Sequence, residues 1–267
     1  MVARVLACCL TVLAFSASGE ARQNDPTQKE WVQLFNGRDL SDWVIKFAHH
    51  DLGEDTFRVD AGLLRVRYDK WTAFDREFGH IFYKEPFSYY LLAAEYRFVD
   101  EQLPAAGPAL AWARRNNGLM LHSPDPKTML KDQDFPISIE VQLLGGLADG
   151  KPRPTANLCT PGTHVVINGK LHTPHCTNST SKTYDGDQWV RVEVLVHGDE
   201  LIRHMIDGQT VLEYTRPQPA IGVSADGPST TTAANPAGSL VHVCCCETPA
   251  RTRTGSRTWR TRATSPA

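Results

Sequence analysis

The sequence predicts an all-β protein built as a sandwich of two sheets. Apolar and polar residues alternate in short runs, for example residues 62–67, 89–98 and 189–196. This alternation places one face of each strand against a core and the other against water. Turn residues such as Asn168-Gly169 and Asp207-Gly208 separate the runs. No long stretch has helical spacing, and many short strands joined by tight turns are typical of a sandwich.

Length and charge limit the possible partners. The chain has 267 residues, of which 41% are hydrophobic, and a net charge of −2, which suits one domain with a sizeable core. No basic stripe with interleaved aromatic residues precedes residue 250, so we expect no nucleic-acid partner. The sequence has no Gly-rich phosphate loop and no H-E-x-x-H motif, and we expect no cofactor.

The N-terminus predicts export. Arg4 precedes an apolar stretch over residues 5–15, and small residues follow at positions 16–19. This is the layout of a signal peptide over residues 1–22, and the apolar stretch is too short to span a bilayer. A lipoprotein anchor at Cys8 is the alternative. We therefore expect a secreted or periplasmic protein without a transmembrane segment.

A hairpin between two cysteines predicts a disulfide. Asn168-Gly169 separates two extended runs that lie between Cys159 and Cys176. Folding back at this turn places the two cysteines roughly side by side. In an oxidising compartment we expect a Cys159–Cys176 disulfide rather than two buried thiols.

A polar row marks the most informative strand. Residues 137–144 form an extended run that ends at Gly145-Gly146. Because alternate side chains of a strand share a face, Glu140 and Gln142 point one way and Ile139, Val141 and Leu143 point the other. A polar row on one sheet face suits a polyhydroxylated ligand.

Two motifs resemble a known family. The run over residues 31–43, with Leu34-Phe35-Asn36-Gly37 within it and Trp43 at its end, resembles the opening of the 3-keto-disaccharide hydrolase family, and Glu140-Val141-Gln142 resembles its Glu-x-Gln strand. The resemblance implies a jelly-roll β-sandwich of the concanavalin A-like type found in lectins and glucanases. It also implies hydrolysis of glycosides that are oxidised at sugar carbon 3. In that route a base removes the hydrogen on carbon 2, the group on carbon 1 leaves from the enolate, and water adds.

Glu140 is the first candidate for the catalytic base. A carboxylate beside apolar neighbours can have its pKa raised towards neutrality. The alternative is a carboxylate that accepts a sugar hydroxyl or joins a structural ion pair. Gln142 is expected to share its face and to bind substrate by hydrogen bonds. Gln142 also stands where retaining glucanases of the related fold carry a second acid, which weakens a two-carboxylate mechanism.

Glu95 and Arg97 form a second candidate pair, because alternation within residues 94–98 puts both on one side. Arg97 could bind substrate at the enolate oxygen, with Glu95 orienting it or acting as a second catalytic acid. The alternative is an ion-paired row on a solvated sheet face.

Asn117 and His122 lie in the run over residues 116–122, which resembles the family's Asn-Ser-Gly strand, with His122 near the place of a frequent Arg. His122 is a candidate catalytic proton donor, and Asn117 a candidate for substrate binding. The alternative for His122 is a surface or hydrogen-bonded structural residue.

The region around the cysteine hairpin supplies the last candidates. Lys182 and Tyr184 follow it and could reach the ligand. The spacing of His164, His172 and His175 matches no established zinc pattern, and we expect no metal site.

The C-terminal stretch has a different composition. Residues 223–267 are rich in Thr, Ala, Pro, Ser and Arg and are predicted to be disordered. The closing strands that the family resemblance implies are not recognisable there, which suggests a frame shift or a divergent end near residue 222 and an unpaired sheet edge. A functional basic tail is the alternative. The predicted domain therefore covers residues 23–222.

The leading hypothesis is an exported hydrolase of 3-keto-glycosides with a carbohydrate substrate. The alternative is a non-catalytic carbohydrate-binding module of lectin type, because one polar sheet face serves binding as well as catalysis.

Overall fold

The computed structural model describes residues 31–47, 56–68, 70–99 and 103–220, and the backbone of 239–245 and 260–263. The predicted signal peptide lies outside these ranges. Within them the chain forms β-strands and two short 3₁₀ turns, Pro108–Ala113 and Pro126–Thr128. The strands in chain order are β1 Trp31–Gln33, β2 Trp43–Phe47, β3 Phe57–Asp60, β4 Leu63–Val66, β5 Gly79–Phe87, β6 Tyr89–Tyr96, β7 Asn116–Ser123, β8 Ile139–Leu144, β9 Asn157–Cys159, β10 Thr163–Ile167, β11 Lys170–His172, β12 Cys176–Thr177, β13 Val190–His197, β14 Leu201–Ile206, β15 Gln209–Pro219, β16 Ser239–Cys245 and β17 Arg260–Ala263.

The strands form two antiparallel sheets. One has eight strands in the order β1-β17-β6-β13-β14-β15-β10-β11, and the other has seven in the order β12-β9-β8-β7-β16-β5-β2. Strands β3 and β4 make a separate hairpin. The sheets share one apolar core, to which both contribute alternate residues. This confirms the predicted all-β jelly-roll sandwich.

The core follows from the alternation in the sequence. Val192, Val194 and Val196 on β13 are fully buried from the eight-stranded sheet, and Val141 and Leu143 on β8 are fully buried from the seven-stranded sheet. β-branched and other aliphatic side chains pack well between two pleated faces. The intervening residues of the same strands therefore face outward.

A polar link crosses this core. The Nδ1 atom of His204, on β14, lies 2.9 Å from the carbonyl oxygen of Ala156, and its Nε2 atom lies 2.8 Å from the Tyr214 hydroxyl. Burial lowers the pKa of His204 to about 4, so the imidazole is neutral. One ring nitrogen donates and the other accepts, which satisfies both without a buried charge.

Two segments of the C-terminal stretch are strands, contrary to the prediction of disorder over residues 223–267. Strand β16 pairs with β5 and β7, and β17 pairs with β1 and β6. The expected unpaired edge is therefore wrong at these places. The prediction of disorder relied on the composition of the whole stretch and overlooked a short run of β-forming residues at 239–245. Such a run becomes a strand when two neighbouring strands offer unpaired backbone groups. The rest of the stretch lies outside the described residues.

The predicted disulfide is present. Cys159 on β9 and Cys176 on β12 are register partners, and their sulfur atoms are bonded. A disulfide is compatible with an extracellular or periplasmic protein. Among the residues that the structure describes, no helical segment has the length and apolar character that crossing a membrane requires.

Replacing both cysteines by alanine is expected to lower the free energy of unfolding by about 3 kcal/mol, because the bond closes a loop in the unfolded chain. Urea unfolding with and without a reductant measures this. Reductant should shift the wild-type midpoint to that of the variant and leave the variant unchanged. Equal midpoints for the oxidised wild type and the variant would contradict the prediction.

Candidate functional site

Glu140 and Gln142 lie on the outer face of the seven-stranded sheet. Their neighbours Ile139, Val141 and Leu143 fill the core between the sheets, so alternation turns the two polar residues away from it. This confirms the face that the sequence predicted for them. The roles assigned to them stay predictions.

The surroundings of Glu140 are apolar. Its register partners are Met120 on β7 and Cys159 on β9, the latter in the disulfide. The carboxylate lies over Gly118, where a Cβ atom would collide with it. Glu140 is 8% exposed, and it makes no hydrogen bond or ion pair with any residue that the structure describes. Because Gly118 has no side chain, the Glu140 carboxylate can occupy the space above it.

Burial raises the pKa of Glu140 to about 8. The cause is desolvation, because no cation or donor among the described residues offsets the loss of water around the charge. At neutral pH most of the molecules carry the protonated acid and a minority carry the carboxylate. A group with a pKa close to the working pH can both accept and donate a proton.

An amide pair stands beside Glu140. The backbone N–H of Ser179 donates to Asn157 Oδ1 at 2.9 Å, and Asn157 Nδ2 donates to Gln142 Oε1 at 3.2 Å. The fixed backbone donor thus sets the orientation of both amides. Among the residues that the structure describes, none accepts a hydrogen bond from Gln142 Nε2, so this donor is available to a ligand. Asn157 was not among the site residues predicted from the sequence, although it lies two residues before Cys159 on β9 and therefore shares its face.

Aromatic residues cover another part of the same face. A second hydrophobic cluster consists of the buried residues Tyr68, Phe74, Phe78, Ala113 and Met120. Trp112 stacks on Phe78 with ring centroids 5.9 Å apart and remains 46% exposed. The cluster was also missed, because its members come from three separate stretches of the chain.

His80 belongs to this face as a structural residue. It is fully buried, and its Nε2 atom lies 2.6 Å from the carbonyl oxygen of Asp134. Burial lowers the pKa of His80 to about 4. The neutral ring therefore donates a hydrogen bond from Nε2 to that carbonyl, and this bond links the segment around Asp134 to the sheet.

Glu95 and Arg97 do share a face, but it belongs to the other sheet. Tyr96 on β6 points into the core, so Glu95 and Arg97 point to the far side of the sandwich, and packed sheets lie about 10 Å apart. Arg97 stacks over the Trp189 ring at 4.9 Å, and Glu95 is the register partner of Arg191. Neither residue can reach a ligand bound at Glu140.

Asn117 and His122 also point away from Glu140. Asn117 lies on the same face of β7 as the core residue Leu119, and its Oδ1 atom accepts a hydrogen bond from the Gly118 N–H at 2.7 Å. His122 has a φ of 53°, which breaks the alternation. Its ring interacts with the backbone of Gly198 in the turn after β13, and burial lowers its pKa.

Lys182 and Tyr184 are not brought to Glu140 either. Tyr184 belongs to the core between the sheets, and Lys182 Nζ lies 4.9 Å from the centre of its ring.

In the hairpin, His172 Nε2 lies 2.6 Å from Thr177 Oγ1. Within the described ranges no group of three His, Cys, Asp or Glu side chains is arranged as metal ligands.

Comparison with known proteins gives one match over most of the chain. The sequence profile of the family described as the 3-keto-alpha-glucoside-1,2-lyase-like domain matches residues 30–240. Comparison with curated protein sequences finds no match.

Solved structures that align with the chain are remote in sequence. A protein of Parabacteroides distasonis named as a glycosyl hydrolase is 13% identical, with 88% of this chain and 100% of that chain aligned at a TM-score of 0.43. The exoplasmic/lumenal domain of VIP36 is 9% identical, with 90% of each chain aligned at 0.44. The carbohydrate-binding module CBM66 of Bacillus subtilis is 9% identical, with 83% of this chain and 92% of that chain aligned at 0.38.

Glu140→Gln is expected to stabilise the fold increasingly as the pH rises. The pKa of Glu140 is about 8 in the folded state against 4.5 as the reference value, so the folded protein binds the extra proton and the wild type loses stability between these pH values. The difference in free energy of unfolding should be near zero at pH 4.5 and of the order of 3 kcal/mol at pH 7.

Urea unfolding of both proteins at matched pH values measures this difference, and groups common to both cancel. The surface variant Glu213→Gln serves as the control, because Glu213 forms an exposed pair with Arg203. A Glu140→Gln difference that stays constant with pH would show that the carboxyl titrates normally.

Proposed function

Because the chain belongs to the 3-keto-alpha-glucoside-1,2-lyase-like domain family, we propose that it cleaves 3-keto-glycosides and that Glu140 is the base. The proposal rests on the burial and the raised pKa of the Glu140 side chain. Glu140 is a buried carboxyl on the outer sheet face, without a partner among the described residues and with a pKa of about 8. Groups with such perturbed pKa values concentrate at functional sites.

The reaction begins at carbon 2 of the oxidised sugar. The carbon 3 ketone acidifies the hydrogen on carbon 2, and the Glu140 carboxylate removes it as a proton while the C–H electrons form an enolate. The enolate electrons then form the C1=C2 double bond as the bond from carbon 1 to the glycosidic oxygen breaks. The departing oxygen takes up a proton, for which protonated Glu140 is the nearby donor.

Water completes the hydrolysis. It adds across the C1=C2 bond, with hydroxyl on carbon 1 and hydrogen on carbon 2, and 3-keto-glucose results from a glucoside. Elimination followed by addition uses one carboxyl group in turn as base and acid. This route suits Glu140, a buried carboxyl whose strand neighbour Gln142 belongs to the amide pair.

The raised pKa of Glu140 suits this role. A base with a pKa of about 8 abstracts a carbon-bound proton more readily than an ordinary glutamate, whose carboxylate is a weaker base. The Gln142 Nε2 donor, oriented through Asn157, is suited to hydrogen-bond the enolate oxygen as charge develops there. The disulfide supports export, and the proposed site of action is outside the cytosol.

The alternative is a carbohydrate-binding domain without catalysis. The amide pair of Gln142 and Asn157 favours it, because oriented amides bind sugar hydroxyls as well as an enolate oxygen. This alternative predicts binding of unoxidised glycans and no product from any 3-keto substrate.

Glu140→Gln is expected to lower turnover of a 3-keto-α-disaccharide by about 10²- to 10⁴-fold, because the amide cannot accept the carbon 2 proton. Release of the free sugar, followed by chromatography, measures it. The matched control Glu213→Gln, on the other sheet, should turn over substrate at the wild-type rate. Normal turnover by Glu140→Gln would remove Glu140 from the reaction.

The kcat/KM of the wild type is expected to rise with pH, to reach half its maximum near pH 8 and to level off above that pH. Only the carboxylate form of Glu140 is a base, and its pKa of about 8 keeps this form a minority below that pH. Initial rates between pH 5 and pH 9 at low substrate concentration give the profile. A plateau that is already reached at pH 6 would contradict the raised pKa.

A further inference from the structure

We infer that Trp112 is the stacking platform for the sugar that leaves, and not for the sugar that carries the ketone. This inference rests on the proposed function and names the residue that selects the leaving group. It starts from the exposure of Trp112. The indole stacks on Phe78 with an interplanar angle of 17°, yet 46% of the residue is exposed. One ring face is thus covered and the other is open.

Trp112 is connected to the Glu140 site through strand β7. The Nδ2 atom of Asn116 lies 3.3 Å from the carbonyl oxygen of Trp112. Asn116 and Gly118 share one face of β7, about 7 Å apart, and the Glu140 carboxylate lies over Gly118. The Trp112 segment and the Glu140 carboxylate therefore lie along the same outer face of the seven-stranded sheet.

The two flanks of Glu140 differ in chemistry. On the side of β8 and β9, Gln142 and Asn157 present oriented amides. On the side of β7, Met120 belongs to the same hydrophobic cluster as Phe78, and Trp112 stacks on Phe78. The oxidised ring has a ketone and hydroxyls that need hydrogen-bonding partners during the reaction, whereas an intact pyranose offers an apolar C–H face that packs on an indole.

Arg153 holds the platform in place. Its Nη2 atom donates to the carbonyl oxygens of Trp112 and Arg114 at 3.4 and 2.5 Å, and its Nη1 atom to that of Arg115 at 3.2 Å. Nη1 also donates to the carbonyl of Gly145, directly after β8. A single guanidinium thus ties the Trp112 segment to the end of the strand that carries Glu140. A fixed platform loses little conformational freedom when a ligand binds.

The test compares two substrates in the same variants. The substrates are a 3-keto-α-disaccharide and methyl 3-keto-α-glucoside, which share the oxidised ring and differ in the leaving group. Trp112→Ala should lower kcat/KM for the disaccharide by about tenfold and for the methyl glycoside by less than about twofold. The loss should appear mainly in KM, because stacking is made before and during the reaction. Trp112→Phe should retain part of the disaccharide preference.

Trp189→Ala is the matched control. Trp189 is 37% exposed and lies under Arg97 on the far side of the sandwich, so its removal should leave both substrates unaffected. Arg153→Met should reproduce the selective loss for the disaccharide, and Arg153→Lys should restore part of it. A loss of equal size on both substrates would exclude this positioning role for Arg153.

The outcomes separate this inference from the proposed function. A wild type that turns over neither substrate refutes the proposed function and this inference with it. An active wild type, combined with Trp112→Ala losses that are equal for both substrates or absent for both, refutes only the assignment of Trp112 to the leaving sugar.

Discussion

The chemistry of the site depends on the desolvation of one carboxyl group. An ionised carboxylate needs donors or a cation around it, and the neighbours of Glu140 are Met120, Gly118 and the disulfide of Cys159. None of these neighbours supplies a strong donor to the carboxylate. The pKa of Glu140 therefore rises to about 8, and this makes its carboxylate a stronger base than that of an ordinary glutamate, as the role that we propose for it requires. The same desolvation destabilises the fold at neutral pH, which is common where a functional group is placed against its preference.

The rest of the sandwich holds this group between two unlike surfaces. The shared core keeps β7, β8 and β9 in register. The disulfide links β9 to the edge strand β12. On one flank a backbone N–H orients the amides of Asn157 and Gln142. On the other flank Arg153 fixes the segment that carries Trp112. The proposed ligand site at Glu140 therefore has hydrogen-bonding groups on one side and, on the other, the hydrophobic cluster of Met120 and Phe78 on which Trp112 stacks.

Reading the strands from the sequence succeeded where the argument needed only local alternation. It predicted the sandwich, the disulfide and the outward face of Glu140 and Gln142. It placed Glu95 and Arg97 correctly on one side of a strand, but alternation does not tell to which sheet that side belongs. It chose Asn117 over Asn116, because a strand carries no mark of which neighbour faces the core until its register is known. The strand at 239–245 was missed, because pairing with two distant strands decided its conformation.

The sequence by itself determined the periodicity of each strand, and with it which residues are buried together along one strand, because side-chain alternation is a property of the extended backbone. It also determined the hairpin that joins the two cysteines, since Asn168-Gly169 favours that turn locally. Only the tertiary structure decided which outward faces meet at one place. The environment of Glu140 combines residues of the three consecutive strands β7, β8 and β9. The raised pKa of Glu140 and the two unlike flanks arise from the pairing and packing of these strands with their neighbours, which no local pattern encodes.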